Sequence, residues 1–399
     1  MKSNSGENRV AKEKTNGNSK YIIFFGRFEL PDKNALAHRV RSNAYALSYS
    51  GYKPILVGYA RGEDANQHYI DDRYIPIECY TIEYPRTQYL WLFENGDEVI
   101  KRIIVEKGSQ NIKAIVFNGV GYRNIKRILQ FSSQYSIPCV YDVVDWFPYS
   151  SRTSIRDNVK RLEDNLIRRR LLGRIKNYIF ISSYLNDLYF PKAEHKIVIP
   201  SLTAKKDKRF SDLPHYVARD EITYCYVGSP GLRGSKERLD WCVEAFMSVA
   251  AESSKLLIYG ITKEEYLDYY HQIDVDQRVI FMGRRPNREC VLAIAEADFF
   301  VFAREDTQVS RAGFPTKFSE SFAIGTPVIT TPTSDLGKYI IDGKNGILSK
   351  ECTYDSYLQA FSKSASCSVE DRKSMRILSS PLDEECWRIP LSSFVNSLK

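Results

Sequence analysis

The chain lacks the residue patterns of several common site types. None of its eight cysteines forms a CxxC pair, so neither a zinc site nor a disulfide framework is indicated. No run of about eighteen apolar residues occurs, and we expect no transmembrane helix. Cysteines scattered through apolar segments are typical of a reducing compartment, which favours the cytoplasm.

A dinucleotide-binding turn is also absent. The first apolar strand is followed by Gly26-Arg27-Phe28-Glu29, which does not supply the GxGxxG fingerprint. The 57 basic and 49 acidic side chains leave a net charge of +8, which suits phosphorylated substrates, nucleic acid or anionic lipid. Because the basic residues are spread over both halves without a nucleic-acid-binding motif, we expect no nucleic-acid partner.

Two segments carry charge without an obvious core. Residues 1–19 are polar, so we expect a disordered tail and not a secretory signal. A basic cluster would close a helix that begins near Ile155; it comprises Arg168, Arg169, Arg170, Arg174 and Lys176. A solvated helix end, favourable to the helix dipole, is one interpretation. The other is peripheral contact with anionic lipid at the inner face of the cytoplasmic membrane.

The rest of the chain alternates strands and helices in two halves. In the first half we predict strands at 21–25, 54–57, 114–117 and 139–144, with a helix at 35–49. In the second we predict strands at 222–227, 255–259, 279–282 and 299–302, with helices at 237–250, 263–271 and 287–295. This alternation predicts an α/β protein with parallel sheets covered on both faces. Ligands would bind beyond the carboxyl ends of the strands, in a cleft between two such halves.

The segment 311–331, RAGFPTKFSESFAIGTPVITT, combines several local signals. Pro315 suits the first turn of a helix, Gly325 suits its end, and residues 327–330 read as a short strand. Lys317 and Glu320 are three residues apart and share one helix face. Such a pair is either a surface ion pair worth little or the cation and carboxylate of a nucleotide site at a helix N-terminus.

This segment resembles the donor site of glycosyltransferase family 4, the group 1 enzymes of GT-B fold, in the branch that builds capsular and other surface polysaccharides. The likeness continues through Thr333, Ser334, Asp335, Tyr339, Asp342, Gly343 and Gly346. Residues 227–231 (VGSPG) resemble the phosphate loop of that branch, and 142–146 (DVVDW) resemble an inter-domain motif. Residues 181–185 and 199–200 fit it as well, so the resemblance covers most of the chain from about Lys20 onward.

The resemblance implies two Rossmann-like domains. We expect an N-terminal acceptor-side domain at 20–200, a nucleotide-sugar-binding domain at 201–380, and a C-terminal helix at 381–399 that returns to the first domain. It implies a retaining transfer of a sugar from a nucleotide-diphosphate sugar to a glycan or polyprenyl-linked acceptor. No cofactor, metal or protein nucleophile is expected.

The implied donor site combines the phosphate loop with the Lys317 helix. Its residues would be Gly228, Arg233, Lys236, Gly313, Phe314, Thr316, Lys317 and Glu320. Glu320 would accept the ribose hydroxyls, and the cations would face the diphosphate. Arg304 would lie near the donor sugar, and Gly26, Arg39 and Asp145 would lie on the acceptor side.

The chain departs from the family pattern at two positions. Ser229 stands where an arginine is usual, and Ala312 where a second glutamate usually contacts the donor sugar. The donor sugar therefore cannot be inferred from enzymes with both carboxylates. Asp274-Val275-Asp276 fits a metal-binding Asp-x-Asp, but its polar surroundings favour a solvated loop. A nucleotide-sugar epimerase and a regulatory protein of the same fold are the alternatives.

Overall fold

The computed structural model describes residues 20–84, 96–145, 162–163, 166–167, 169–189, 193–231, 236–377 and 380–398. The strands are β1 (Tyr21–Glu29), β2 (Lys53–Ala60), β3 (His68–Asp71), β4 (Ile77–Glu83), β5 (Ile112–Asn118), β6 (Cys139–Val143), β7 (Asn177–Phe180), β8 (His195–Val198), β9 (Thr223–Val227), β10 (Lys255–Tyr259), β11 (Val279–Gly283), β12 (Phe299–Val301), β13 (Val328–Thr330) and β14 (Gly346–Leu348). The helices are α1 (Ala35–Ser48), α2 (Gly96–Lys107), α3 (Tyr122–Tyr135), α4 (Ser183–Tyr189), α5 (Leu239–Val249), α6 (Lys263–Tyr270), α7 (Asn287–Glu296), α8 (Gln308–Ala312), α9 (Thr316–Ile324), α10 (Tyr354–Ala365), α11 (Val369–Met375) and α12 (Arg388–Ser397).

The strands form two sheets. The first has eight strands in the order β3-β4-β2-β1-β5-β6-β7-β8, and the second has six in the order β11-β10-β9-β12-β13-β14. In the described residues only β3 and β4 pair antiparallel. The strand order reverses at β1 in the first sheet and at β9 in the second, which are the switch points where ligands bind in such folds. The α/β prediction is confirmed.

Both faces of the central strands are covered, as their sequences predict. In β1, Ile23 and Phe25 pack into one core cluster, while Ile22 and Phe24 pack into another. Successive side chains of a strand point to opposite faces, so an unbroken apolar run fits a strand between two helical layers.

One predicted boundary in β1 is wrong. The strand does not end at Phe25 but continues to Glu29, so Gly26 lies within the strand and not in a loop after it. A Cβ at Gly26 would lie 2.0 Å from Asn118 Oδ1 and 2.8 Å from the Asn118 carbonyl oxygen. Glycine is therefore needed here because β5 approaches closely.

The chain crosses between the two sheets through residues 199–222, which we call the linker. Leu202 and Ala204 of this linker are buried in the same core cluster as α12 residues Leu391 and Phe394. Near the end of the chain, Thr203 and Asp383 form an isolated β-bridge, and α12 then packs on the first sheet's α1 face. Of the helices in the described part of the chain, none is long and apolar enough to cross a membrane.

Candidate functional site

A cleft of about 790 Å³ lies between the two sheets. Its first wall is formed by residues 32–36, by His38 and Arg39 of α1, by Asp145 and by Ser201 of the linker. The opposite wall is formed by the loops that follow β9, β10, β11 and β12, and by the start of α9. The carboxyl ends of both sheets thus meet at one cleft, where the sequence predicts the active site.

Helix α9 provides the first part of the opposite wall. Pro315 precedes it in extended backbone, and Gly325 ends it with a φ of 83°, a left-handed value that glycine adopts without strain. Phe318 and Phe322 are buried on one face, with ring centroids 4.5 Å apart. This packing leaves Thr316, Lys317 and Glu320 lining the cleft.

Glu320 is a buried carboxylate held by two cations. Its side chain is 2% exposed. Lys317 Nζ lies 2.6 Å from Oε2, and Arg209 Nη1 donates to Oε1 at 3.4 Å. The Lys317–Glu320 pair predicted from spacing is therefore present, but Glu320 is not on the surface. A carboxylate this buried needs such partners, since desolvation disfavours its charged form.

Arg209 is the residue of this site that sequence analysis missed. It lies in the linker, in the 3₁₀ turn Lys208–Phe210, and is separated from Glu320 by 111 positions. The only signal for it was the basic character of the linker, which does not distinguish it from neighbouring lysines.

The predicted phosphate loop begins directly after β9. Gly228 lines the cleft, and its N–H donates to the Tyr259 carbonyl at 3.1 Å. Gly260, with a φ of 107°, lies against it, where a Cβ would come 2.1 Å from the Gly228 oxygen. Lys236 also lines the cleft and is exposed. Arg233 lies outside the described residues, so its predicted phosphate contact stays a prediction.

Arg304 belongs to a buried polar network behind this loop. Its Nη2 lies 2.6 Å from Glu237 Oε1, and the Tyr226 hydroxyl donates to Glu237 Oε2 at 2.7 Å. Burial raises the pKa of Tyr226 well above its usual value, and the Glu237 carboxylate adds to this effect. The charge of Arg304 is thus already paired with Glu237. Arg304 both stabilises the residues behind the loop and lines the cleft.

Gly313 and Phe314 line the cleft between α8 and α9. The Phe314 ring packs against Phe318 and Tyr339 at centroid distances of 5.7 Å each. Its ring is therefore a core group, which leaves the backbone of this turn to face a ligand.

Arg39, predicted on the acceptor side, connects the first sheet with the linker. Its side chain is 2% exposed and contacts both carboxylate oxygens of Asp142, at 3.2 and 2.9 Å. Its Nη1 also donates to the carbonyl oxygens of Ile199 and Pro200, at 2.8 and 2.7 Å. These four contacts commit the guanidinium to positioning the chain crossing.

The other acceptor-side predictions separate in space. Asp145 lines the cleft, whereas Gly26 is buried in β1 and is not among the lining residues. His38 lines the cleft although it is buried. Burial lowers its pKa well below the usual value, and the charges of Arg209 and Lys317 lower it further. His38 thus lines the same cleft as Lys317, which contacts Glu320.

A second charged network supports this wall. Arg73 contacts Asp32 and Asp71, and Arg41 Nη2 lies 3.1 Å from Asp71 Oδ2. Burial alone would raise the pKa of Asp71, but hydrogen bonds from Arg73 and the charge of Arg41 lower it to about 2. Since Asp32 lines the cleft, the network fixes the β1–α1 connection at its edge.

Position 312 forms part of the contact between the two halves. Ala312 is fully buried, and its carbonyl accepts a hydrogen bond from Ser182 Oγ at 2.8 Å. Ser183 N–H donates to Asp335 Oδ2 at 2.7 Å close by. The Ala312 side chain is fully enclosed, so a longer side chain would force neighbouring groups to move, which gives a physical reason for alanine here.

Among the described residues, those of the Asp-x-Asp segment and of the basic cluster do not line the cleft. Asp274 pairs with Lys263 at 2.7 Å, and Asp276 with Arg278 at 2.8 Å. In the part of the chain that the structure covers, no three His, Cys, Asp or Glu residues form a group suited to a metal ion. Of the basic cluster, Arg168 and most of its predicted helix lie outside the described residues.

Comparison with known proteins identifies the fold. Residues 221–365 match the family model of the group 1 glycosyl transferases. The comparison with curated proteins found no match.

Three solved structures are similar over nearly the whole chain. Sucrose-phosphate synthase from Thermosynechococcus elongatus has a TM-score of 0.61 at 16% identity, covering 94% of this chain and 98% of that one. The HepE protein of Anabaena, solved with UDP-glucose, has a TM-score of 0.59 at 14% identity, covering 95% of this chain and 100% of that one. The lipopolysaccharide outer core galactosyltransferase WaaB has a TM-score of 0.60 at 13% identity, covering 94% of this chain and 99% of that one. At such identities the likeness shows the fold, which is GT-B.

Proposed function

We propose that this GT-B chain is a retaining glycosyltransferase that moves a sugar from a nucleotide-diphosphate sugar to an acceptor in the interdomain cleft. The observation that carries the proposal is Glu320, a buried carboxylate at the cleft wall with cations on both sides. Burying a carboxylate is costly, and its oxygens must be compensated by cations or hydrogen-bond donors. Two vicinal hydroxyls of a ribose are suitable partners for its two oxygens.

The donor would lie along α9 and the phosphate loop. Lys317 and Lys236 line the same cleft, and the first turn of α9 presents its unpaired N–H groups and the positive end of the helix dipole. These groups would stabilise the charge that develops on the diphosphate as the glycosidic bond to it breaks. The match of residues 221–365 to group 1 glycosyl transferases supports the same half as the donor half.

The acceptor would enter against the opposite wall. Asp32, His38 and Asp145 lie there, and their polar side chains suit a hydroxyl-bearing glycan or a polyprenyl-linked oligosaccharide. We assign the chain to surface polysaccharide synthesis on the basis of its GFPTK segment, and we name no protein nucleophile. Because position 312 is a buried alanine, the donor hexose would be held without the second carboxylate.

The basic cluster would bring the enzyme to such an acceptor. Arg169, Arg170 and Arg174 are exposed, and each basic residue near an anionic surface contributes about 1 kcal/mol. Pelleting with anionic and with neutral vesicles tests this contact. If the wild type and an Arg169→Ala/Arg170→Ala variant pellet equally, the proposed membrane contact of this cluster is refuted.

A thermal-shift screen of UDP-, GDP-, dTDP- and ADP-sugars tests the donor class. A ligand that binds the native state raises the melting temperature, and the stabilisation grows with the logarithm of the ratio of its concentration to its Kd. We expect one nucleotide class to give a shift that is smaller in Glu320→Gln. If millimolar concentrations of every class leave the melting temperature unchanged, the proposal fails.

A further inference from the structure

Arg209 is built into the site from the linker and not from either sheet. Its guanidinium is 10% exposed, with Nε 3.4 Å from Asp207 Oδ1 and Nη1 3.4 Å from Glu320 Oε1. Asp207 also accepts the Arg209 N–H at 3.0 Å. On the other side, Arg288 donates to the Arg209 carbonyl at 2.8 Å. The turn that carries Arg209 is therefore held at both its side chain and its backbone.

The two cations that contact Glu320 differ in how exposed their side chains are and in how easily they can move away. Lys317 is 25% exposed and reaches Glu320 from the same helix, on a flexible stem with rotatable donors. Arg209 is enclosed, and the Phe210 ring lies 5.0 Å from its guanidinium carbon. A phosphate group in the cleft would compete for the exposed lysine and not for the enclosed arginine.

The departure of Lys317 would leave Glu320 with one cation. A carboxylate that is 2% exposed needs such a partner, because burying an unpaired charge is costly. Arg209 occupies one lone pair of Oε1, and a carboxylate has about four such sites. Both ribose hydroxyls can therefore be accepted while Arg209 stays in place.

We propose that Arg209 is a positioning residue that holds the Glu320 carboxylate oriented for the ribose hydroxyls, while Lys317 turns to the phosphates. The inference rests on the proposed nucleotide-sugar function and extends it to the linker. The linker holds α9 at a second point as well, since Ser319 Oγ donates to the Ser201 carbonyl at 2.6 Å. Ribose binding is thereby tied to the segment that joins the two halves.

Calorimetric titration with matched nucleotides tests this role. The probe is whichever of UDP, GDP and ADP binds the wild type, together with its 2′,3′-dideoxy form. We expect Arg209→Gln to weaken binding of the parent nucleotide about tenfold, the size of a lost charge-assisted hydrogen bond. Binding of the dideoxy form should stay within about twofold, because it makes no ribose contact to lose.

Two further variants complete the test. Arg209→Lys keeps the charge with a different reach, and we expect an intermediate loss for the parent nucleotide alone. Lys208→Gln changes an exposed residue of the same turn and should bind both nucleotides like the wild type. If Arg209→Gln does not fold, Arg209→Lys makes the same comparison.

The outcomes separate the two proposals. Unchanged binding of the parent nucleotide, or equal weakening of both nucleotides, overturns the role of Arg209 and leaves the proposed function intact. A wild-type protein that binds none of UDP, GDP, ADP and dTDP overturns the proposed function, and this inference with it. Binding of dTDP alone, whose sugar lacks the 2′-hydroxyl, overturns only this inference.

Discussion

Replacing Glu320 with glutamine keeps the shape of the side chain and removes its charge. In the structure each carboxylate oxygen has one cation, at 2.6 and 3.4 Å, and the side chain is enclosed. A hydrogen bond to a charged group contributes about 1.5–3 kcal/mol, roughly twice a neutral one. The amide edge also presents an NH₂ group that cannot accept a hydroxyl proton.

The expected loss in Glu320→Gln is therefore about 2–3 kcal/mol of donor binding, or roughly 30- to 150-fold in affinity. The free energy of unfolding should fall by only about 1–2 kcal/mol, since Arg209 keeps Asp207 and Lys317 can reach solvent. Calorimetry with the binding nucleotide measures the first quantity, and urea denaturation measures the second.

Asp298→Asn is the matched control for Glu320→Gln. Asp298 is also a buried carboxylate, with Arg372 Nη1 at 2.6 Å, but it is not among the residues that line the cleft. It should lower stability and leave nucleotide affinity unchanged. Wild-type affinity in a folded Glu320→Gln protein would refute the assignment of Glu320 to the ribose.

Three further predictions follow from the geometry. Lys317→Ala should weaken binding of the nucleoside diphosphate about tenfold by calorimetry, whereas Lys338→Ala, which removes an exposed lysine, should not. Burial raises the pKa of Glu384 to about 7, so the folded state binds more protons than the unfolded state between about pH 4.5 and pH 7, and stability falls as pH rises through that window. Glu384→Gln should flatten this part of the urea-midpoint profile, and an unaltered slope would contradict it. Gly26→Ala should lose about 1–3 kcal/mol of stability by overpacking against Asn118, with nucleotide affinity kept; Gly173→Ala, where a Cβ meets nothing within 4 Å, serves as its control. Equal stability of the two alanine variants would show that the close approach at Gly26 is relieved without cost.

Local patterns predicted most of the central elements. The strand expected at 255–259 has those bounds, and the helix expected at 287–295 ends one residue later. These succeeded because apolar periodicity and glycine or proline boundaries act within a few residues. The pair β3 and β4 was not predicted, since β3 is a four-residue edge strand with little apolar character.

The candidate site was predictable in its α9 half and less so elsewhere. Lys317 and Glu320 lie on one helix, so their spacing alone placed them together. Gly26 was expected in a loop and lies in β1, because its close approach to Asn118 depends on the pairing of β1 with β5; its acceptor-side role stays a prediction. The contact of Arg39 with Asp142 spans 103 positions, which no local pattern reports.

By itself, the amino-acid sequence determined the α/β class, the strands that alternate with helices, and a helix start with Lys317 and Glu320 on one face. These features depend on interactions between residues close in the chain, where the sequence spacing fixes which side chains share a face. Only the tertiary structure decided that Glu320 is buried, that Arg304 is paired with Glu237, and that Arg209 reaches the site from the linker. Burial and charge pairing depend on which distant segments meet, and they set whether a carboxylate is a solvated surface group or a binding group.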